Sequence, residues 1–246
     1  MKKTLLNILI AVAVIAACIC GIIGYMSYRK NTDADAVYDD IQHIKPPVSA
    51  ITNADGTYTD PLPLMDFTAI QAQNPDIVAW ITVPGTVIDY PIVQAADNAY
   101  YLNRDMTKSN NKNGAIFLDY RNNSDFSDFN NILYGHHMKS GKMFQNLVKF
   151  KDKDFFDKHT TAILYTPQNS CLLEITAVAV VEQNSDLYAY TFASPADKRT
   201  HLDKIVKAAR FVREVDITEH DRIITMSTCS YEFDEARTLL VARVKK

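Results

Sequence analysis

Glycine, proline and cysteine are scarce in this sequence, with 7, 9 and 4 among 246 residues. The few glycines and prolines and the absence of any internal repeat exclude a low-complexity chain. The few cysteines exclude a small fold that depends on several disulfide bonds. A basic excess is missing too, because the formal net charge is −3, so a nucleic-acid partner is not expected. What remains is ordinary globular composition, in a chain long enough for one sizeable domain and a short accessory segment.

The first thirty residues differ from the rest of the chain. Lys2 and Lys3 precede an uncharged run, residues 4–27, made mostly of Leu, Ile, Val and Ala. About twenty such residues cross a bilayer as a helix, since each adds roughly 1.5 Å. A core helix would show a polar face, whereas polar residues lie only near the ends of this run. We therefore expect residues 1–30 to be an uncleaved, single-pass membrane anchor.

Two other interpretations of this segment stay open. A cleaved signal peptide needs a shorter apolar region that ends in a small-residue site. The residues Ile15-Ala16-Ala17-Cys18 resemble a bacterial lipobox, which would make Cys18 a lipidated N-terminus, but the apolar run continues to Tyr25. The orientation of the segment in the membrane is only weakly indicated, because Lys2 and Lys3 before the run are matched by Arg29 and Lys30 after it. The additional positive charge of the N-terminal amine favours an N-terminus on the inside.

The segment after the anchor has the composition of a linker. Residues 31–61 are rich in Asp, Thr, Ala and Pro, with Pro46 and Pro47 in the middle. This composition predicts an extracellular stalk that holds a domain away from the membrane. Residues 62–246 would form that domain.

From residue 77 onward the local patterns are mostly those of strands. Short β-branched or aromatic runs, bounded by Pro, Gly, Asn or Asp, occupy residues 77–83, 87–93, 115–120, 131–134, 162–166, 171–182, 223–228 and 238–244. Their spacing predicts a mainly β domain, either a barrel or a sandwich. Apolar residues at helical spacing predict two helices, over 142–158 and 195–214.

Cys229 is the cysteine that packing explains least. Alternate residues of a strand face opposite sides, so its thiol shares the polar face of the run 223–229 with Thr225 and Ser227. A structural cysteine would lie among apolar positions, as Cys171 does at the start of its own apolar run. Cys229 is therefore a candidate nucleophile at the end of a strand.

A nucleophilic thiol needs a cationic partner to become a thiolate, and histidine is the usual one. Among six histidines, only His136 and His137 directly follow an apolar strand, after Gly135, which would let the chain turn. His201 and the others outside the stalk lie among charged residues, where a solvated side chain is expected. A pair of turn histidines without a catalytic role stays open at this point.

Acyl transfer also creates negative charge on a carbonyl oxygen, which fixed donors or a cation must stabilise. Arg237 begins the strand after Cys229, behind the acidic connection 232–235. A strand–loop–strand return would bring its guanidinium near the thiol. Taken alone, an arginine at the start of a strand is usually a solvated charge.

These residues occur in a recognisable order. The central motifs are Tyr134-Gly135-His136-His137-Met138, Ser227-Thr228-Cys229 and Arg237, and further segments are Asn74-Pro75-Asp76-Ile77-Val78-Ala79-Trp80-Ile81, Ile88-Asp89-Tyr90-Pro91-Ile92-Val93-Gln94 and Gly114-Ala115-Ile116-Phe117-Leu118-Asp119-Tyr120-Arg121. In this order they resemble class B sortases, which are cysteine transpeptidases of Gram-positive bacteria. The resemblance covers roughly residues 62–246.

The resemblance implies a fold and a reaction. The fold would be a closed β-barrel of about eight strands, with N-terminal helices and a long helix before the strand that bears the cysteine. The enzyme would cleave a C-terminal sorting signal of secreted proteins after Thr. A thioester would form on the cysteine, and an amine of a peptidoglycan precursor or a pilin would resolve it.

The resemblance also implies roles for residues. By position, Cys229 would be the nucleophile, His136, which directly follows the glycine, the general acid, and Arg237 the residue that positions substrate and stabilises the oxyanion. Four positions match the family's peptide groove: Asn98, Leu102, Tyr134 and Ser227. No cofactor or metal ligand set is expected, and calcium dependence belongs to another sortase class.

Two competing functions remain. The barrel could be a non-enzymatic surface module that binds a ligand or a wall component. An L,D-type wall-crosslinking transpeptidase is also anchored and thiol-dependent, but it places histidine and cysteine close together in sequence. Here more than ninety positions separate His136 from Cys229, which argues against that class.

Overall fold

The structure, a computed structural model, describes residues 7, 10, 12–26, 51–53 and 57–245. The chain divides into two compact units, Met1–Gln42 and His43–Lys246. Residues 12–26 of the first unit are helical. Within the described residues, no helix combines the length and the apolar character needed to cross a bilayer. The rest of the predicted anchor and most of the predicted stalk, 31–61, lie outside the described residues.

The described residues of the second unit form one nine-stranded sheet. Its strands are β1 (Ile77–Thr82), β2 (Asp89–Val93), β3 (Ile116–Leu118), β4 (Asn130–Tyr134), β5 (Thr161–Tyr165), β6 (Ser170–Glu182), β7 (Ala209–Val212), β8 (Ile223–Cys229) and β9 (Ala236–Val244). The strand order is β5-β1-β2-β3-β4-β8-β9-β6-β7, and β5 also pairs with β6. This extra pairing closes eight strands into a barrel, which confirms the expected fold.

The ninth strand, β7, was not expected. The helical pattern predicted a helix over 195–214, but the helix ends at Ala208. The next residues pair with the part of β6 that extends beyond β5, where Ala177 lies opposite Val212. An unpaired strand edge offers main-chain hydrogen bonds, and here that opportunity outweighs the local helical pattern.

One helix of the second unit precedes β1, and the others lie between strands along the chain. They are α1 (Thr68–Gln73), α2 (Lys153–Lys158) and α3 (Pro195–Ala208), together with short 3₁₀ helices at Tyr100–Leu102, Phe144–Lys151 and Asp186–Tyr188. The side chain of Ser194 caps α3 by accepting a hydrogen bond from the N–H of Asp197, and Pro195 opens the first turn. Thus α3 is the long helix that precedes the cysteine strand.

The predicted helix over 142–158 is divided in two. The 3₁₀ helix Phe144–Lys151 and α2 are separated at Asp152, whose backbone is extended. Its carboxylate accepts a hydrogen bond from the N–H of Phe155 at 2.9 Å and so caps α2. The spacing of apolar residues alone does not mark this break, and it therefore predicts one continuous helix.

Both faces of β8 are buried, including the polar face that carries Thr225 and Ser227. Ile223 packs in a cluster with Leu202 and Ile205 of α3, and Thr225 is 1% exposed. The hydroxyl of Thr225 donates to Oδ1 of Asn130 at 2.7 Å, which satisfies it in the interior. This face is therefore covered by α3 at its start and becomes half-accessible only at Cys229.

Candidate active site

Strand pairing gathers residues that lie far apart in the sequence. Strands β4 and β8 are parallel, with Tyr134 opposite Ser227, so both end at the same edge of the barrel. Strand β9 returns antiparallel to β8, with Arg237 opposite Cys229. Strand β4 ends at Tyr134, and His136 follows two positions later. His136 therefore lies at the edge where the thiol and the guanidinium lie.

A cleft of about 290 Å³ opens at this edge. It is lined by Asn98, Leu102, Phe117, Tyr134, Gly135, His136, Gln183, Tyr188, Ser227, Thr228, Cys229 and Arg237. All seven residues that the sequence singled out as catalytic or substrate-binding are in this set. The cleft brings together a thiol, an imidazole and a guanidinium, which are the groups that thiol-dependent acyl transfer requires.

The imidazole of His136 is oriented by a main-chain carbonyl. Its Nε2 lies 2.7 Å from the carbonyl oxygen of Leu102. Because a carbonyl only accepts, Nε2 must carry a proton, and Nδ1 is left as the nitrogen that can exchange a proton with a substrate.

Two glycines make room for this arrangement. Gly114 has a φ of +60°, and a Cβ there would lie 2.7 Å from the Leu102 carbonyl oxygen and 3.0 Å from Cδ2 of His136. At Gly135, a Cβ would lie 2.4 Å from Cδ1 of Ile116 and 2.8 Å from the ring of Phe144. Glycine is thus required for close approach on both sides of the imidazole.

Arg237 is held by two uncharged oxygens. One terminal nitrogen of its guanidinium donates to the carbonyl of Ala236 at 3.0 Å. The other donates to Oε1 of Gln183 at 2.9 Å. These bonds fix the plane of the guanidinium at the wall of the cleft beside Cys229.

Comparison with known proteins agrees with this geometry. A family model described as the Sortase domain matches residues 81–245. The chain belongs to the sortase family. It is 36% identical over 222 residues to Sortase B of Listeria monocytogenes, covering 89% of this chain and 87% of that protein.

Solved structures give the same result. Sortase B from B. anthracis in complex with AAEK1 matches with a TM-score of 0.76 and 32% identity, over 89% of this chain and 99% of that one. A Staphylococcus aureus sortase B–substrate complex matches with a TM-score of 0.77 and 26% identity, over the same shares of each chain. The chain is therefore a class B sortase, a cysteine transpeptidase.

The second histidine of the motif has a different position in this sortase. His137 is not part of the cleft lining. Its Nδ1 lies 3.0 Å from the carbonyl oxygen of Cys229, and its ring centroid is 5.1 Å from that of Tyr231. His137 therefore contacts the backbone of the cysteine, whereas His136 faces the cleft.

A buried carboxylate supports one wall of the cleft. The Asp119 side chain is fully buried and accepts hydrogen bonds from Asn98 Nδ2 and the Tyr134 hydroxyl, each at 3.0 Å. Arg121 adds bonds of 2.8 and 2.7 Å from its guanidinium. Burial alone would raise the pKa of Asp119, but these hydrogen bonds outweigh it and hold the pKa below its usual value.

Ser227 and Tyr188 form a second supporting pair. Their hydroxyl oxygens are 2.7 Å apart, and Ser227 is 2% exposed. The ring of Tyr188 stacks on Tyr134 with centroids 5.9 Å apart. Burial raises the pKa of Tyr188 to about 12, so its phenol stays neutral and can donate a hydrogen bond.

Sequence reasoning gave no role to Asp119, Gln183 or Tyr188. A signal existed for Asp119, since an aspartate at the end of an apolar strand with Arg121 two positions later predicts an ion pair on one face. Gln183 directly follows β6, and Tyr188 ends the 3₁₀ helix Asp186–Tyr188; no local pattern indicates a site at either position. Within residues 57–245, no group of three or more His, Cys, Asp or Glu side chains is placed to hold a metal ion.

Proposed function

We propose that this sortase is membrane-anchored, cleaves a sorting signal near the C-terminus of secreted proteins after a threonine, and joins the product to an amine. The observation that carries the proposal is the shared cleft of Cys229, His136 and Arg237. The acceptor is an amine of a peptidoglycan precursor or of a pilin. Both acceptors are primary amines, so the same thioester serves either one.

In the first step, the thiolate of Cys229 attacks the carbonyl carbon of the threonine. A C–S bond forms, and an electron pair moves onto the carbonyl oxygen, where N–H groups of Arg237 stabilise it. The C–N bond then breaks, and the leaving amine takes a proton from His136. The threonyl group remains on Cys229 as a thioester.

In the second step, the acceptor amine attacks the thioester carbonyl. His136, now neutral, accepts the proton that the amine loses as the new C–N bond forms. The C–S bond breaks, and Cys229 leaves as a thiolate. The amide product carries no enzyme atoms, and the thiolate–imidazolium pair is restored for another cycle.

The four predicted groove residues would bind the peptide. Asn98 and Tyr134 form a wall fixed by Asp119, and the exposed side chain of Leu102 provides apolar contact. Ser227 is nearly inaccessible, so its contribution would come through Tyr188, whose hydroxyl it contacts. A rigid wall lowers the entropy cost of ordering an extended peptide.

The proposed location is the cell membrane, with the catalytic domain outside. This location is supported by Lys2 and Lys3 and by the uncharged, mostly apolar run over residues 4–27. Large aliphatic side chains of the helical residues 12–26, such as Val12 and Ile23, are exposed. Such side chains are suited to lipid rather than to water.

Peptide cleavage by the full-length chain tests the proposal. Peptides with a Thr-Asn or a Thr-Gly bond would be incubated with the enzyme, and product masses recorded with a glycine or a lysine amine as acceptor. We expect cleavage after Thr and a product extended by the acceptor. The ratio of the two extended products identifies the preferred amine.

A pair of cysteine variants makes this test specific. Cys229→Ala should abolish cleavage, because no other group in the cleft can form the thioester. Cys171→Ala is the matched control and should retain it, since this thiol lies outside the cleft and burial raises its pKa. Cleavage that survives in Cys229→Ala would refute the proposed mechanism.

Membership of the sortase family decides against the two competing functions. A non-enzymatic surface module would not need a thiol, an imidazole and a guanidinium in one cleft. An L,D-type transpeptidase places its histidine near its cysteine in sequence, whereas His136 and Cys229 meet here through the β4–β8 pairing.

A further inference from the structure

Arg237 contacts Gln183, a residue that has no role in the mechanism above. Strand β9 pairs with β6, and Glu182, the last residue of β6, lies opposite Ala236. Gln183 follows immediately, and its Oε1 accepts a hydrogen bond from Arg237 at 2.9 Å. Both side chains line the cleft. Because a guanidinium only donates, the amide of Gln183 must present its oxygen to Arg237.

Gln183 is an uncharged partner for Arg237. Within residues 57–245, Arg237 forms no ion pair with a carboxylate. A carboxylate partner would cancel much of the positive charge offered to an oxyanion, whereas an amide oxygen orients the guanidinium and leaves its charge in place. Two of its five N–H groups donate to Gln183 and Ala236, and the other three have no acceptor within residues 57–245.

We propose that Gln183 is a positioning residue that aims the guanidinium of Arg237 at the oxyanion. The inference rests on the proposed function, in which Arg237 stabilises that charge. Gln183 acts only through Arg237 and takes no part in bond making or proton transfer. Its effect is exerted in the transition state. Loss of Gln183 should therefore lower kcat and leave KM nearly unchanged.

The test uses the full-length chain and a fluorescence-quenched peptide that contains the cleaved threonine bond. Gln183→Met keeps the length of the side chain and removes the acceptor. Gln168→Met, in an exposed turn away from the cleft, is the matched control. Both substitutions are made in the wild-type chain and in Arg237→Ala, and the thermal unfolding midpoint of each variant is measured.

We expect Gln183→Met to lower kcat about tenfold with little change in KM, as for loss of one hydrogen bond to a charged group at an accessible site. In Arg237→Ala the same substitution should change kcat less than about twofold, because the group that Gln183 orients is gone. Gln168→Met should leave kcat unchanged in both backgrounds.

Two outcomes overturn the inference. Wild-type kcat in Gln183→Met would show that the hydrogen bond is not needed. An equal loss in both backgrounds would show that Gln183 acts by another route, such as folding or direct substrate contact. If Arg237→Ala itself cleaves the peptide at the wild-type rate, the proposed role of Arg237 in the reaction is wrong. That result is distinct from a failure of Gln183 alone.

Discussion

At the scale of single residues, chemistry limits what a side chain can do, and this makes the catalytic candidates visible in the sequence. Cys229, His136 and Arg237 stand out because a thiol, an imidazole and a guanidinium follow or begin strands. Their hydrogen-bond partners could not be predicted. The carbonyl that orients His136 belongs to Leu102, 34 positions earlier, and Gln183 lies 54 positions from Arg237. Only the closed barrel brings such partners together.

Asp119 supports a first prediction. Asp119→Asn keeps the size of the side chain but removes the charge that balances Arg121, and it weakens acceptance of the Asn98 and Tyr134 hydrogen bonds. We expect KM for the peptide to rise about tenfold and the free energy of unfolding to fall by about 2 kcal/mol, since Arg121 stays partly solvated. Asp157→Asn, at an exposed helix pair, should cost less than about 0.5 kcal/mol. Steady-state kinetics and urea unfolding measure both, and an unchanged KM would contradict the positioning role.

His201 corrects one expectation from the sequence. Its charged neighbours along the chain predicted a solvated ring, but the side chain is 3% exposed and lies 3.4 Å from Nδ2 of Asn130. The helical position directs it inward beside Leu202, which the surrounding charges do not reveal. Since the amide of Asn130 donates, the ring accepts at Nε2 and is neutral.

This burial predicts a pH-dependent stability. Burial lowers the pKa of His201 to about 4 in the folded chain, from 6.5. Below pH 6.5 the unfolded chain binds a proton here that the folded chain does not, so stability falls with falling pH until about pH 4. The slope from this group approaches about 1.4 kcal/mol per pH unit.

The measurement is urea unfolding between pH 5 and 6.5. His201→Gln can still accept from Asn130 but does not titrate, so its stability should depend less on pH than that of the wild type. The hydrogen bond from Lys204 holds the pKa of nearby Asp186 below its usual value, so this carboxylate stays charged throughout the range. Parallel pH profiles for the two proteins would contradict a neutral, buried His201.

At the scale of elements, local pattern predicts most strands but not every boundary. Strands such as β6, expected over 171–182 and found as Ser170–Glu182, are bounded by polar turn residues that sequence shows directly. The ends of helices are set by tertiary contacts instead. The helix α3 stops at Ala208 because β6 offers an edge to the next residues, and no local pattern contains that information.

The turn after β4 supports a prediction at this scale. Gly135→Ala would place a methyl group 2.4 Å from Cδ1 of Ile116, which is fully buried. We expect a loss of about 2 kcal/mol in the free energy of unfolding, because the core has no room to relax, and lower activity as His136 shifts.

Ile116→Val provides the matched test of that clash. It removes Cδ1 and should itself cost about 1 kcal/mol. In the double variant Gly135→Ala/Ile116→Val the two losses should sum to less than their separate values, because the methyl group gains space. Strict additivity in urea unfolding would show that the clash is not the cause.

At the scale of the whole molecule, the family resemblance predicted the closed barrel, which strand patterns alone left open between a barrel and a sandwich. Closure through β5 and β6 and the parallel β4–β8 pair are long-range pairings. Local periodicity cannot select them, because it does not specify strand partners. The anchor over residues 1–30 and the stalk over 31–61 stay predictions from composition.

The central claim is that Cys229 carries the acyl group between two substrates. Its most direct test is the mass of the intact enzyme after rapid quenching in acid with a threonine-containing sorting peptide and no acceptor amine. We predict a mass increase equal to the peptide portion that ends at Thr, mapped to Cys229 and removed by hydroxylamine. An adduct on another residue, or cleavage without any thioester in this single-turnover experiment, would contradict the account.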